Sequence, residues 1–450
     1  IMDRARRRFI QGLAPAAVAA ALPGRLGASA FTEETQKGQE PSLGRAAEGR
    51  TPETGFTMTR QELERKALRI QSLLEEKTLQ VHGLVPMFVR ASDYRLPTAE
   101  DYAGAYRHRH LRGKTEAELG LPPMHVWRAW EDTAADTGFY LAALSWQFRC
   151  TGDPLALRRC RRTLGALKTV YDLGAQAMEP GFLCKPYCGK ASNQTSPDQL
   201  QCVASGLDAY RRIAGPHDAA LIGEMFQGFA DFQIRHDYYH PGTYFAVPLK
   251  PRYRLWGPDW QPGTKPWSIG IIYLTVMHHA WRSGGDPEYL RQIERWHAGC
   301  GLDNRPSGGS GRSYRELYLP SLLMEIDPWR HRIWRAMTLG TFRNVRGSIQ
   351  PDGTVLQSGR WGPGPYRSGR SAIYARGMVT AQRWFPAEPL AETARRILEA
   401  LDVSTFRFIM PPAEGETLAP EWKVETELID HDSLTAWLWA YWEGRFNGYW

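Results

Sequence analysis

The chain has 450 residues, 42% hydrophobic and 23% charged, which is ordinary globular composition and ample for a large core. Its net charge of +8 is unevenly spread: the first 30 residues hold five arginines against one aspartate, leaving about +4 for the rest. That balance is too mild for a nucleic-acid-binding surface, whereas a weakly cationic surface suits an anionic substrate.

Residues 1–30 read as an export segment. Arg6-Arg7 followed by Phe9-Ile10 resembles a twin-arginine signal, and Leu13 to Leu22 form an Ala-rich apolar run too short to span a membrane. Ala28-Ser29-Ala30 supplies a cleavage site, so the expected location is periplasmic or extracellular, with no membrane attachment. Residues 31–55 are polar and rich in Gly, Pro, Glu and Thr, and read as a disordered linker ahead of a single domain over 56–450.

From residue 57 the pattern is helical. Thr59 caps a first helix, and further helices are expected over 131–151, 153–173, 198–213, 216–237, 267–284, 286–299, 313–325, 329–345, 370–384, 388–402 and 432–446. Strand patterns are scarce; "GTYFAVPL" and "GSIQPDGTVLQSG" read as hairpins within loops. One unit recurs: a helix stops at a Gly-Asp turn and another begins at once, as in "LSWQFRCTGDPLALRRC" and "HHAWRSGGDPEYLRQ", with "YRRIAGPHDAAL" a looser copy. Gly tolerates the positive φ that ends the first helix, Asp caps the second, and Pro in its first turn loses no hydrogen bond. Twelve helices of this kind close into six hairpins, an all-α (α/α)6 toroid, with an open solenoid as the rival. The long connections 85–120, 238–266 and 346–369 are expected to line one end.

Two acids stand where a polar loop enters an apolar helix: Asp136 in "DTGFYLAAL" and Asp198 in "SPDQLQCVASG". Both positions also suit dipole-compensating first-turn acids, with Ser196 as N-cap and Pro197 at N1 in the second case, and Glu131 and Asp132 capping the first. On neighbouring helices they can face one another, and paired carboxylates in different environments divide proton donation from water activation. Trp267 opens a third such helix, and 17 tryptophans in all give ample indole for stacking on sugar rings.

"DTGFYLAALSWQFRCTGD", "SPDQLQCVASGLDAYRRIAG" and "PWSIGIIYLTVMHHAWRSGGD" together resemble, in order and spacing, the unsaturated glucuronyl hydrolases and unsaturated rhamnogalacturonyl hydrolases of the six-hairpin glycosidase superfamily. The resemblance implies a hydrolase for unsaturated uronides, with Asp198 as general acid/base and Asp136 as the supporting acid. The chain departs from that family at Ile269, where an Arg is expected, at Tyr273 in place of Trp, and at Ala135 in place of His. A uronate carboxylate would instead be met by loop groups: Arg252, Arg254, Trp256 and Trp260 in one loop, Arg360, Trp361, Tyr366, Arg367 and Arg370 in another. The crowded "RHDYYHPGTYF" segment leaves a uronate lyase with His240 or Tyr244 as base, and a glycan-binding toroid without catalysis, as alternatives.

The six cysteines, Cys184-x-x-x-Cys188 among them, read first as buried free thiols, then as one disulfide, then as a metal site. No metal or cofactor is called for: HExxH, GxSxG and phosphate-binding glycine loops are absent from the sequence.

Overall fold

The computed structural model describes residues 56–79, 82–102, 115–119, 121–238, 243–244, 247–248, 267–299, 315–327, 330–358, 365–410 and 424–450. The expected export segment (1–30) and linker (31–55) lie outside them. Twelve helices of 11 to 24 residues organise the described chain. They are α1 (Arg60–Leu73), α2 (Thr133–Thr151), α3 (Pro154–Ala177), α4 (Pro197–Arg211), α5 (Pro216–Arg235), α6 (Trp267–Gly284), α7 (Pro287–Gly299), α8 (Arg315–Ile326), α9 (His331–Arg346), α10 (Ser371–Gln382), α11 (Leu390–Ala400) and α12 (His431–Phe446).

The even-numbered helices form a closed ring, α2 against α4, α4 against α6, and so on until α12 returns to α2. The odd-numbered helices pack outside it, with α1 completing the sixth hairpin against α12. The fold is therefore the expected (α/α)6 toroid and not an open solenoid. Burial explains the division. Thr133 to Gln147 in α2, Ser371 to Ala381 in α10 and His431 to Gly444 in α12 are buried without interruption, as a helix surrounded by neighbours must be. Outer α9 buries a single stripe instead: Trp334, Met337, Thr338, Thr341, Phe342 and Val345.

The hairpin turns follow local chemistry. Gly152 takes φ 69° at the end of α2, and Asp153 accepts the Leu155 N–H at 2.9 Å to start α3. Gly285 at φ 70° and Asp286, which accepts the Glu288 N–H at 2.8 Å, repeat the device between α6 and α7. Inner-to-outer turns are short and the returns are long. Every inner helix therefore points its N-terminus to the same end of the ring.

Two contacts fix that end. Gly138 lies against the backbone of α4: a Cβ there would sit 2.4 Å from the Cys202 carbonyl oxygen. Gly206 is its counterpart, 2.3 Å from the Gly138 oxygen by the same construction. Two helices touch backbone to backbone two residues after Asp136 and four residues after Asp198. The ring is also tied at its seam, where strand Phe88–Arg90 pairs antiparallel with Leu428–Asp430, Phe88 opposite Asp430. Reciprocal amide hydrogen bonds of Gln71 and Gln147, 2.7 and 2.9 Å, hold α1 to α2. The expected hairpin Thr243–Tyr244 with Val247–Pro248 forms, and Ile349 bridges Val355 within the other expected segment. No described helix is long and apolar enough to cross a membrane.

Candidate active site

Asp136 occupies the first turn of α2 with no exposed surface, and neither carboxyl oxygen meets an N–H or hydroxyl donor. Its neighbours are carboxylates. Burial holds its pKa well above the usual aspartate range, and Asp432, Asp430 and Asp132 push the same way. The raised pKa favours the protonated form of Asp136, with Asp432 in the first turn of α12 as the neighbour that gains from it. Burial also raises Asp432, while Arg370 and the Asp136 hydrogen bond oppose the rise. Asp430 is pushed up to about 7 by burial, with Asp432 adding to the rise against the pull of Arg370.

Arg370, immediately before α10, is the hub of this cluster. Its guanidinium stands 2.7 Å from Asp430, 3.2 Å from Asp432 and 3.6 Å from Asp132. Burial works against its charge, but the three aspartates outweigh it and raise its pKa. The sequence suggested Arg370 as a loop arginine for a substrate carboxylate; the fold commits it to the chain's own carboxylates instead. Arg367 likewise turns away, to Asp352 at 2.9 Å.

Asp132 sits at the N-cap of α2 but makes no capping bond. It accepts from Gln199 Nε2 at 2.9 Å, which links α2 to the first turn of α4. Glu131 is equally removed from capping: it is buried between Arg128 and Lys185, the latter at 3.0 Å. Ser196 is the N-cap residue of α4, as expected, yet its hydroxyl makes no capping bond.

Asp198 is half-buried in the first turn of α4. Its charge acts on Asp432 of α12 and on the Tyr273 phenol of α6. In the ring, α6 adjoins α4 directly, and α12 lies one helix away on the other side, beyond α2. Tyr273 itself is buried against Tyr238 and Trp296, and burial, with Asp198, raises its pKa well above the ordinary value. Below the carboxylates the axis is filled by Arg376 of α10, whose guanidinium carbon lies 4.4 Å from the ring centroids of Phe139 and Tyr318 and 4.7 Å from that of Trp439. The arrangement is a half-buried acid at the mouth, a proton-sharing pair beneath it and an aromatic floor.

The structure thus brings Asp136 and Asp198 to the same end on touching helices. It pairs Asp136 with Asp432, a residue the sequence reading passed over. The signal was available: "LIDHDSLTAW" delivers an acid into the first turn of an apolar helix just as the segments around Asp136 and Asp198 do. Arg252, Arg254, Trp256, Trp260, His240, Arg360 and Trp361 lie outside the described residues, as do the side chains of Trp267 and Tyr244. Most described tryptophans, among them Trp127, Trp130, Trp334, Trp437, Trp439 and Trp442, are packed in the core. Tyr238, from the crowded tyrosine segment, is also a core residue, with its hydroxyl on Gln292 at 2.9 Å. The five described cysteines are all free thiols.

The state of Asp136 has a measurable consequence. A carboxyl that keeps its proton in the folded chain but loses it when unfolded costs stability as pH rises above the ordinary aspartate range of about 4. Asp136→Asn retains a neutral donor and removes that cost. Its melting temperature should equal or exceed that of the wild type at pH 8, with a smaller difference at pH 5. A variant less stable by the same margin at both values would mean that Asp136 is ionised in the fold.

The closed ring of six hairpins is similar to several solved structures at low sequence identity. No protein-family model matches the chain, and no curated protein sequence does. An unsaturated glucuronyl hydrolase specific for heparin is similar at 12% identity, over 86% of this chain and 97% of that one, with a TM-score of 0.48. The unsaturated glucuronyl hydrolase of Bacillus sp. GL1, responsible for degradation of glycosaminoglycan, is 14% identical over 85% of this chain and 95% of its own, TM-score 0.46. Cellobiose 2-epimerase from Bacillus thermoamylovorans is 13% identical over 85% and 100%, TM-score 0.47.

Proposed function

We propose that the protein is an exported glycoside hydrolase for uronic-acid-containing oligosaccharides, acting on an unsaturated uronide at the nonreducing end. What supports this reading is the division of labour at the mouth: a half-buried Asp198 whose charge is felt by Asp432, and a buried Asp136 whose raised pKa favours its protonated form. Asp198 gives a proton to C4 of the C4=C5 vinyl ether and, as carboxylate, draws water onto C5. The resulting hemiketal collapses and breaks the glycosidic link. Asp136 is the supporting acid: its hydrogen bond favours the charged form of Asp432, whose charge in turn acts on Asp198.

A mouth this acidic repels a uronate unless cations meet it. Since Arg370 is engaged by Asp430 and Asp432, that role falls to Arg252, Arg254 and Arg360, with Trp256, Trp260, Trp267 and Trp361 as stacking surfaces and His240 and Tyr244 as further contacts. Export by the twin-arginine segment places the enzyme in the periplasm or outside the cell, where such oligosaccharides are met.

The test is spectroscopic. With oligosaccharides bearing a C4=C5 uronate, the ultraviolet absorbance of the conjugated double bond should fall as product forms. An increase on saturated uronate polymers would assign a lyase instead, and constant absorbance on both would end the proposed reaction.

A further inference from the structure

Away from the carboxylate mouth, two histidines of one hairpin converge on an aspartate of the next. His278 belongs to inner α6, His297 to its outer partner α7, and Asp327 follows the last residue of α8. All three are buried. His297 Nε2 is 3.1 Å and His278 Nε2 3.8 Å from one and the same oxygen, Asp327 Oδ2, and the three donor atoms lie within 4.8 Å of one another. Neither ring nitrogen of His278 makes a hydrogen bond, although the ring is buried and directed at the aspartate. A buried imidazole left so destabilises the fold, and a carboxylate oxygen can satisfy it only at hydrogen-bond distance.

We propose that His278, His297 and Asp327 form a binding site for a divalent transition metal of the zinc class. Two imidazoles and one carboxylate oxygen are the donor set such ions take, whereas calcium and magnesium require oxygen. Bonds of about 2.0–2.2 Å place neighbouring ligand atoms roughly 3–3.5 Å apart, so the observed separations need only a small inward movement of His278. The other carboxylate oxygen, Oδ1, faces Arg330 Nη1 at 3.5 Å, which orients Asp327 to present Oδ2 alone. The metal clamps hairpin α6/α7 to hairpin α8/α9, at a stretch of the ring where the inner helices meet over less of their length than α2 and α4 do. Its role is to hold the toroid closed, independent of the reaction at the mouth.

The experiment uses the full chain stripped with a chelator and dialysed against Zn2+ or Co2+. One equivalent of zinc should remain bound, the cobalt form should show visible d–d bands of a low-coordinate nitrogen–oxygen site, and the melting temperature should rise with either ion. His278→Gln should lose the equivalent and the bands, and Arg330→Gln, which leaves all three donors in place, should bind about tenfold more weakly. A stripped wild type that takes up neither ion overturns the assignment, as does metal held by His278→Gln at wild-type affinity. Should His278→Gln fail to fold, unchanged affinity in Arg330→Gln overturns it as well.

Discussion

Asp198→Asn is expected to stop turnover while leaving the toroid intact. Asparagine fills the same volume in the first turn of α4, and Asp198 is half-buried, so the substitution empties no core position. It does remove a group able to give and take a proton. Loss of a positioned general acid/base costs about 10²- to 10⁴-fold in rate, or about 3–5 kcal/mol of barrier. The absorbance assay measures the rate, and thermal unfolding followed by circular dichroism checks the fold. A variant that folds normally and turns over within tenfold of wild type would remove Asp198 from the reaction.

Arg370→Met is expected to have the largest effect on stability. The guanidinium is the shared counter-ion of Asp132, Asp430 and Asp432, and Asp430 and Asp432 are buried. Removing one partner of such a group strands the others, at a cost of about 3 kcal/mol at neutral pH. The pH dependence has a definite sign. Asp430 and Asp432 already titrate above the ordinary aspartate value in the folded chain, Asp430 at about 7. Without Arg370 both rise further, so the folded state holds protons that the unfolded state releases, and stability falls as pH rises. Urea unfolding should therefore show a larger deficit at pH 8 than at pH 5, and Asp430→Asn in the same chain should restore part of it. An equal deficit at both values would assign Arg370 a packing role alone.

The helices were legible because their ends carry local chemistry. Gly152-Asp153-Pro154 and Gly285-Asp286-Pro287 specify a stop, a cap and a start within three residues, and the structure turns at both. The placement of Asp136 was legible for a related reason: a polar stretch delivers the acid into the first turn of an apolar helix. The rest of the site was not. Asp430 and Asp432 reach Asp136 only because α12 closes the ring on α2, and no local pattern reports which distant helix becomes a neighbour. Arg370 looked like a loop cation for a substrate carboxylate because its three acidic partners come from the two ends of the domain. The strands that pin Asp430 are three residues long, too short for alternation to register.

That seam has a bearing on how the molecule comes into being. Asp132, Asp136 and Asp198 emerge early from the ribosome, whereas the proton acceptor Asp432 is made within the last twenty residues of the 450. A nascent chain lacking that final helix holds an acid with nowhere to pass its hydrogen bond and a barrel open along one side. Closure of the ring, and with it the full set of carboxylates around Asp136, therefore waits on the packing of α12 against α2.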